Sequence, residues 1–183
     1  MRRLFLALDL PDRLRDGLMA LPEGLGIGRE VEEENLHLTL AFLDAQPDHI
    51  LEPLHDGLST VQQPQVRLQL TGLELWGGRQ PSTLVMMAER VPELIHLQEK
   101  LAHLVRVAGI DLPRRRFKPH VTLVRFQRGL PPEAQARLAG FMATEGGASL
   151  PLAEAESFSL YQSTLTADGP IYEALATYPL QPV

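Results

Sequence analysis

The chain predicts an α+β fold built as a bilobal body. Two pseudo-symmetric, βαβαβ-like halves carry antiparallel or mixed sheets that face a central cleft, with the helices outside. Three observations lead there. The tetrapeptide His37-Leu38-Thr39-Leu40 returns 83 positions later as His120-Val121-Thr122-Leu123. The order strand, helix, motif strand, helix, strand occurs twice, over residues 4–76 and 84–161, and a last strand follows at 171–178. The strands have one apolar and one polar face, which suits sheets covered by helices on one side. The expectation is a single domain, 1–183, made of two duplicated lobes.

Taken in order, the apolar run from Arg3 to Leu10 reads as a buried strand. Pro11 then opens a helix that carries Leu14, Leu18 and Leu21 at helical spacing. Gly24, Gly26 and Gly28 end it, and residues 29–33 lead into the first motif strand, 36–43. Pro47 starts a second helix with Ile50, Leu51, Leu54 and Leu58 on one face. From Gln65 to Trp76 the pattern alternates, with Val66, Leu68 and Leu70 on one side, so one strand is predicted there. A turn through Gly77 and Gly78 gives way to another apolar strand at 83–88.

Pro92 begins the order again, with Leu94, Leu97, Leu101, Leu104 and Val105 in helical register. The basic connector Arg114-Arg115-Arg116-Phe117-Lys118 enters the second motif strand, 119–126. Pro131 and Pro132 open a helix with Leu138 and Phe141. Residues 157–163 form a strand with Phe158 and Leu160 inward, and Asp168-Gly169-Pro170 turns the chain into its last strand. Leu73-Glu74-Leu75-Trp76 aligns with Phe158-Ser159-Leu160-Tyr161.

Composition narrows the chemistry. The chain has no cysteine, which excludes disulfides, thiolate metal sites and cysteine nucleophiles. A net charge of −6 argues against a general nucleic-acid coat while leaving room for one local cationic pocket. The apolar N-terminal run is broken by Asp9 and Pro11, too soon for a secretory signal. No stretch approaches the ~20 apolar residues of a membrane span. A cytoplasmic monomer that does not engage membrane is expected.

Side chains on a strand alternate, so His37 shares a face with Thr39, and His120 with Thr122. Two such strands brought together offer two imidazoles and two hydroxyls. Imidazole titrates near neutrality, so one ring can take a proton from water while the other gives one to a leaving oxygen. The threonine hydroxyls can donate to phosphate oxygens, and Arg125 is the candidate for a charge-assisted contact. Arg125 has the opposite parity to His120 and Thr122, so the strand must end or bulge after Val124, or the side chain must curl back.

Rival chemistries are weaker. Two histidines without a third ligand at metal-site spacing do not make a zinc centre, and no GxSxG marks a serine hydrolase. Neither a metal nor a cofactor is expected. His49, His55, His96 and His103 fall on helices without evident partners and read as incidental.

Four stretches carry a resemblance: Arg3 to Pro11, Glu34 to Leu40, Arg116 to Arg125, and the tail from Ser157 to Leu180 with Ser163-Thr164-Leu165, Gly169, Tyr172 and Tyr178-Pro179-Leu180. Together they resemble the two-histidine (2H) phosphoesterase superfamily, and within it the RNA 2′,3′-cyclic phosphodiesterases, once called 2′-5′ RNA ligases. The resemblance implies metal-independent opening of an RNA 2′,3′-cyclic phosphate to a 2′-phosphomonoester. It also implies His37 and His120 as the catalytic pair, with Thr39, Thr122 and Arg125 on the phosphate. His37 is assigned as acid and His120 as base, although the near-symmetry of the motifs leaves that choice open.

Lys118, Arg116, Phe42, Tyr161 and Ser163 are candidates for further RNA contacts, and Trp76 for stacking a base. The family often carries Lys, then Phe-Leu-Gly, after its first HLTL; here Ala41 precedes Phe42-Leu43-Asp44. Ala41 has cleft-facing parity, so a cation is expected to be missing from the cleft. Alternatives are a 2H enzyme acting on a small cyclic phosphate or nucleotide, reversible 2′-5′ ligation, and an RNA-end binding protein without turnover.

Overall fold

The N-terminal strand β1 (Arg2–Leu8) lies mid-sheet, because nothing in Leu4-Phe5-Leu6-Ala7-Leu8 tolerates water on either face; all five are at most 4% exposed. The computed structural model describes residues 1–182. After β1 come α1 (Asp12–Ala20), β2 (Arg29–Glu30), β3 (Leu38–Gln46), α2 (Leu51–Ser59), β4 (Val66–Leu68) and β5 (Leu70–Trp76). The second half holds β6 (Thr83–Ala88), α3 (Pro92–Val107), β7 (His120–Arg125), α4 (Pro132–Glu145), β8 (Ala153–Ala155), β9 (Ser157–Thr166) and β10 (Gly169–Pro179).

Proline sets several helix starts: Pro11 and Pro131 immediately precede α1 and α4, and Pro92 and Pro132 stand in the first turns of α3 and α4. Its fixed φ suits that place, and the missing N–H would have no partner there. The helix predicted after Pro47 begins as a 3-10 turn, Asp48–Ile50, before α2. Leu14 and Leu18 of α1, Leu54 and Leu58 of α2, and Leu94, Leu97 and Leu101 of α3 join Leu4, Leu6 and Leu8 in one buried apolar cluster.

The predicted pair of sheets takes the form of one. Its path runs β10-β9-β1-β3-β7-β6-β5, β2 adds to β7, and all the ladders are antiparallel. The two groups of strands join at a narrow seam, where Leu38 of β3 pairs with Val121 of β7. The motif strands therefore lie side by side rather than facing each other from separate sheets. A two-stranded ladder of β4 with β8 links the halves a second time.

The halves in space do not coincide with the repeats 4–76 and 84–161. β5 closes the first repeat yet pairs with β6, and β9 closes the second yet pairs with β1. The single strand expected over 65–76 divides for the same reason. Val66 to Leu68 pair with β8, while Leu70 to Trp76 pair with β6, with Gly72 at φ +86° beside the register shift. An alternating pattern shows which side is apolar; it does not say which strand will pair.

Candidate active site

Leu38 and Val121 occupy the same place in the two motifs, so their pairing puts a local pseudo-dyad between them. Extending that antiparallel register by one residue sets His37 opposite Thr122 and Thr39 opposite His120, all four on one face. The other face, with Leu38, Leu40, Val121 and Leu123, belongs to the core.

Each imidazole is held in the same way. His37 Nδ1 lies 2.6 Å from the carbonyl of Asn35, and His120 Nδ1 lies 2.7 Å from the carbonyl of Lys118. A carbonyl only accepts, so Nδ1–H donates and Nε2 is left with its lone pair in the neutral ring. The loop before His37 is fixed by the Arg15 guanidinium, which donates to the carbonyls of Leu10 and Glu33. Asn35 Nδ2 also donates to the Pro170 carbonyl, tying that loop to the start of β10. Before His120, Arg90 donates to the Phe117 carbonyl, and the Pro119 carbonyl accepts from Ala88 N–H at 3.0 Å.

Aromatic rings complete the walls. Phe5 and Tyr172 lie 4.9 and 5.1 Å from the His37 ring, and Trp76 lies 4.2 Å from the His120 ring. Burial holds His37 down at about 4, and the positive charges of Arg125, His120 and Arg15 act in the same direction; its bond to Asn35 opposes them. His120 also lies below its ordinary value, first through burial, then through Arg125 and Lys118, with the Lys118 carbonyl and Glu74 opposing. Both rings are thus neutral near pH 7 and ready to accept protons.

Two bulges decide which side chains join the motif face. In β7, Thr122 faces Val85 and Arg125 faces Thr83, so one extra residue intervenes on β7. Val85 and Thr83 share a face of β6, and the bulge therefore returns Arg125 to the face of His120 and Thr122. In β3, Thr39 faces Ala7, Ala41 faces Leu6 and Phe42 faces Phe5. That bulge sends Ala41 into the core at 8% exposure and leaves Phe42 on the motif face at 62% exposure. The expectation that Ala41 faces the cleft is therefore corrected: strict alternation fails there, and position 41 is not where a cleft cation would stand. Asp44, at φ +56°, occupies a left-handed position beside a further register shift.

Two cavities meet at this face. One of about 390 Å³ is lined by Arg29, Asn35, His37, Thr122, Arg125 and Tyr172, with Glu30, Glu32, Glu34 and Asp168 on its acidic side. The other, of about 290 Å³, is lined by Arg3, Phe5, His37, Phe42, Arg125, Ser163, Leu165 and Tyr172. His37, Arg125 and Tyr172 border both. A third hollow, of about 440 Å³, lies around Arg67, Gln69 and Glu89 and contains none of these residues.

The remaining expected residues divide. Ser163 and Phe42 line the smaller cavity. Tyr161 borders neither: its ring stacks on Phe5 at 5.1 Å and its hydroxyl donates to Asp9 Oδ1 at 2.7 Å, so it backs the aromatic wall. Lys118 stands 3.8 Å from Glu74 and 5.4 Å over the Trp76 ring. Arg116 is exposed in the connector and lines neither cavity. Among the incidental histidines, His55 does have a partner, the Tyr178 hydroxyl at 2.9 Å. Sequence reasoning missed Arg29, Phe5 and Asp9; only the opening run Arg3 to Pro11 drew attention to the last two. Among the described residues no group of three or more His, Asp or Glu is arranged for a metal ion, and no helix is long and apolar enough to cross a membrane.

A model of the family described as LigT like Phosphoesterase matches the chain twice, over residues 8–87 and 84–172. The RNA 2′,3′-cyclic phosphodiesterase of Escherichia coli K12 is 34% identical over 135 residues, which is 68% of this chain and 72% of that protein. The protein of the same name from Archaeoglobus fulgidus is 28% identical over 180 residues, 96% of this chain and 99% of its own. Among solved structures, a phosphoesterase superposes with a TM-score of 0.79 at 26% identity, covering 98% of both chains. Escherichia coli LigT in its apo form gives 0.75 at 26% identity, again over 98% of both.

Proposed function

We propose, from the premise that this chain belongs to the LigT-like phosphoesterases of the 2H superfamily, that it opens RNA 2′,3′-cyclic phosphate ends to 2′-phosphomonoesters without metal. The observation that carries the reading is the Leu38–Val121 pair, which sets two identically tethered histidines and two threonines on one face. The names of the relatives support the substrate class.

In the reaction, one imidazole takes a proton from water through Nε2 as the water oxygen bonds to phosphorus. The bond from phosphorus to the 3′-oxygen breaks, and the other imidazole, protonated, delivers a proton to that oxygen. His120 is assigned the base and His37 the acid; the bound phosphate anion raises the proton affinity that burial has lowered. Thr39 and Thr122 donate to the non-bridging oxygens, and Arg125 matches their charge. Phe42 offers its exposed ring to the terminal base. With a 5′-hydroxyl in place of water the same step forms a 2′-5′ linkage. The two successive family matches, and the bulges three residues from equivalent ends of the motifs, support descent from one duplicated unit.

The test is turnover of cyclic-ended oligonucleotides, with the product position read by phosphorus NMR. His37→Ala and His120→Ala should each lower kcat about 10²–10⁴-fold and retain product binding, and chelator should leave the wild-type rate unaltered. Full activity in either variant, or a rate lost in EDTA and restored by zinc or manganese, would overturn the mechanism.

A further inference from the structure

Arg29 and Arg125 are direct antiparallel partners across β2 and β7, so both side chains leave the sheet on the same face. Like charges set opposite each other weaken a ladder unless something negative lies with them. Among the described residues three salt bridges form, and neither arginine takes part in any of them. Both line the 390 Å³ cavity beside His37 and Thr122.

The two guanidinium groups are not equivalent. Arg125 borders both cavities, whereas Arg29 borders one. Arg29 reaches under the β9–β10 turn, where a Cβ on Gly169 would stand 2.7 Å from one of its nitrogens. Gly169, at φ +125°, leaves that space open. Both positive charges line a cavity that also carries Glu30, Glu32, Glu34 and Asp168, and only Arg125 borders the second cavity as well. Without Arg29, those carboxylates would repel an anion entering beyond the reacting group.

We propose that Arg29 binds the phosphodiester adjoining the reacting phosphate, the one that joins the terminal nucleotide to an RNA chain, while Arg125 holds the reacting phosphate. This rests on the RNA-end reading above. A cyclic phosphate carries one negative charge, which Arg125 matches; a second arginine, bordering only the larger cavity, calls for a second anion. An RNA end supplies one and a mononucleoside cyclic phosphate does not. Arg29 thus selects chain ends over mononucleotides.

The test compares adenosine 2′,3′-cyclic phosphate with the adenylyl-adenosine dinucleotide bearing the same cyclic end. In Arg29→Gln the dinucleotide-to-mononucleotide ratio of kcat/KM should fall about tenfold. The salt dependence of the dinucleotide reaction should lose about 0.7 in log–log slope. Arg29→Lys should restore part of the ratio. A ratio that does not move overturns the proposal, whether both rates fall together or neither changes. Calorimetry with the two 2′-phosphate products separates this from the parent reading. If the wild type opens neither cyclic phosphate but binds the dinucleotide more tightly through Arg29, the hydrolase reading falls and the Arg29 assignment stands. Equal binding of the two products overturns it.

Discussion

Phe42 and Arg125 hold the same place in the two halves: each is the third residue after its motif threonine, and each is turned to the motif face by a bulge. One half thus presents an aromatic ring where the other presents a cation. A nucleotide has an aromatic end and an anionic end, and in the proposed reaction this difference would help to orient one in the site. Arg125→Gln is expected to lower kcat/KM about 10²-fold or more, as loss of a transition-state donor does. Phe42→Ala should raise KM for nucleoside cyclic phosphates about tenfold with little change in kcat, the worth of one stacked base. Steady-state kinetics of the two variants checks both. A Phe42→Ala effect confined to kcat would contradict the stacking role.

The pH profile follows from the two half-buried imidazoles. The proposed mechanism needs one ring neutral and one protonated. The rate is highest between the two values and falls on either side, where both rings are protonated or both are neutral. Both values lie under the ordinary 6.5 in the free protein, His37 near 4. The bell for kcat/KM should therefore peak on the acid side of 6.5. A bound phosphate anion favours the protonated ring, so the kcat profile should sit at higher pH. Initial rates across about pH 4 to 9 check this, and a kcat/KM maximum above about 7.5 would contradict it.

Asp9 accepts three hydroxyl bonds at once: Ser157 and Ser159 donate to Oδ2 at 2.7 and 2.8 Å, and Tyr161 donates to Oδ1. Ser159 is 1% exposed, so its hydroxyl has little recourse to water. Asp9→Ala should cost about 2 kcal/mol, the loss of three charge-assisted hydroxyl bonds less what Ser159 regains from the Thr177 hydroxyl 2.8 Å away. For a chain of this size that is roughly 4–8 °C in Tm. Thermal melting followed by circular dichroism measures it. Tyr161, released from Asp9, should also loosen its stack on Phe5, with KM rising more than kcat falls.

Asp44 is the only non-glycine residue with positive φ among those described. Asp44→Gly should stabilise the fold by up to about 1 kcal/mol by removing the left-handed strain. Asp44 also lines the smaller cavity beside Phe42, so the same change removes a negative charge there and should lower KM for an anionic substrate. Denaturant titration checks the sign; a loss of stability would mean that the carboxylate makes a contact worth more than the strain.

Local chemistry along the chain sufficed to place the helices, the motif strands and the shared faces of His37 with Thr39 and His120 with Thr122. Periodicity and proline position report burial and helix starts directly, because they depend on neighbours within a few residues. Three features depended on distant partners and could not be read that way. Which strand β5 and β9 would pair with is set by register and core packing between segments far apart in sequence. The faces of Ala41 and Phe42 are set by bulges, which appear only when two strands of unequal residue count share one ladder; the bulge that Arg125 required falls at Leu123 rather than after Val124. Arg29 entered the candidate site because a two-residue strand happens to pair with β7 and bring its side chain beside Arg125. The order of residues along the chain supplies the groups available for the chemistry; long-range strand pairing selects which of them stand together, because such pairing leaves no periodic trace in either strand.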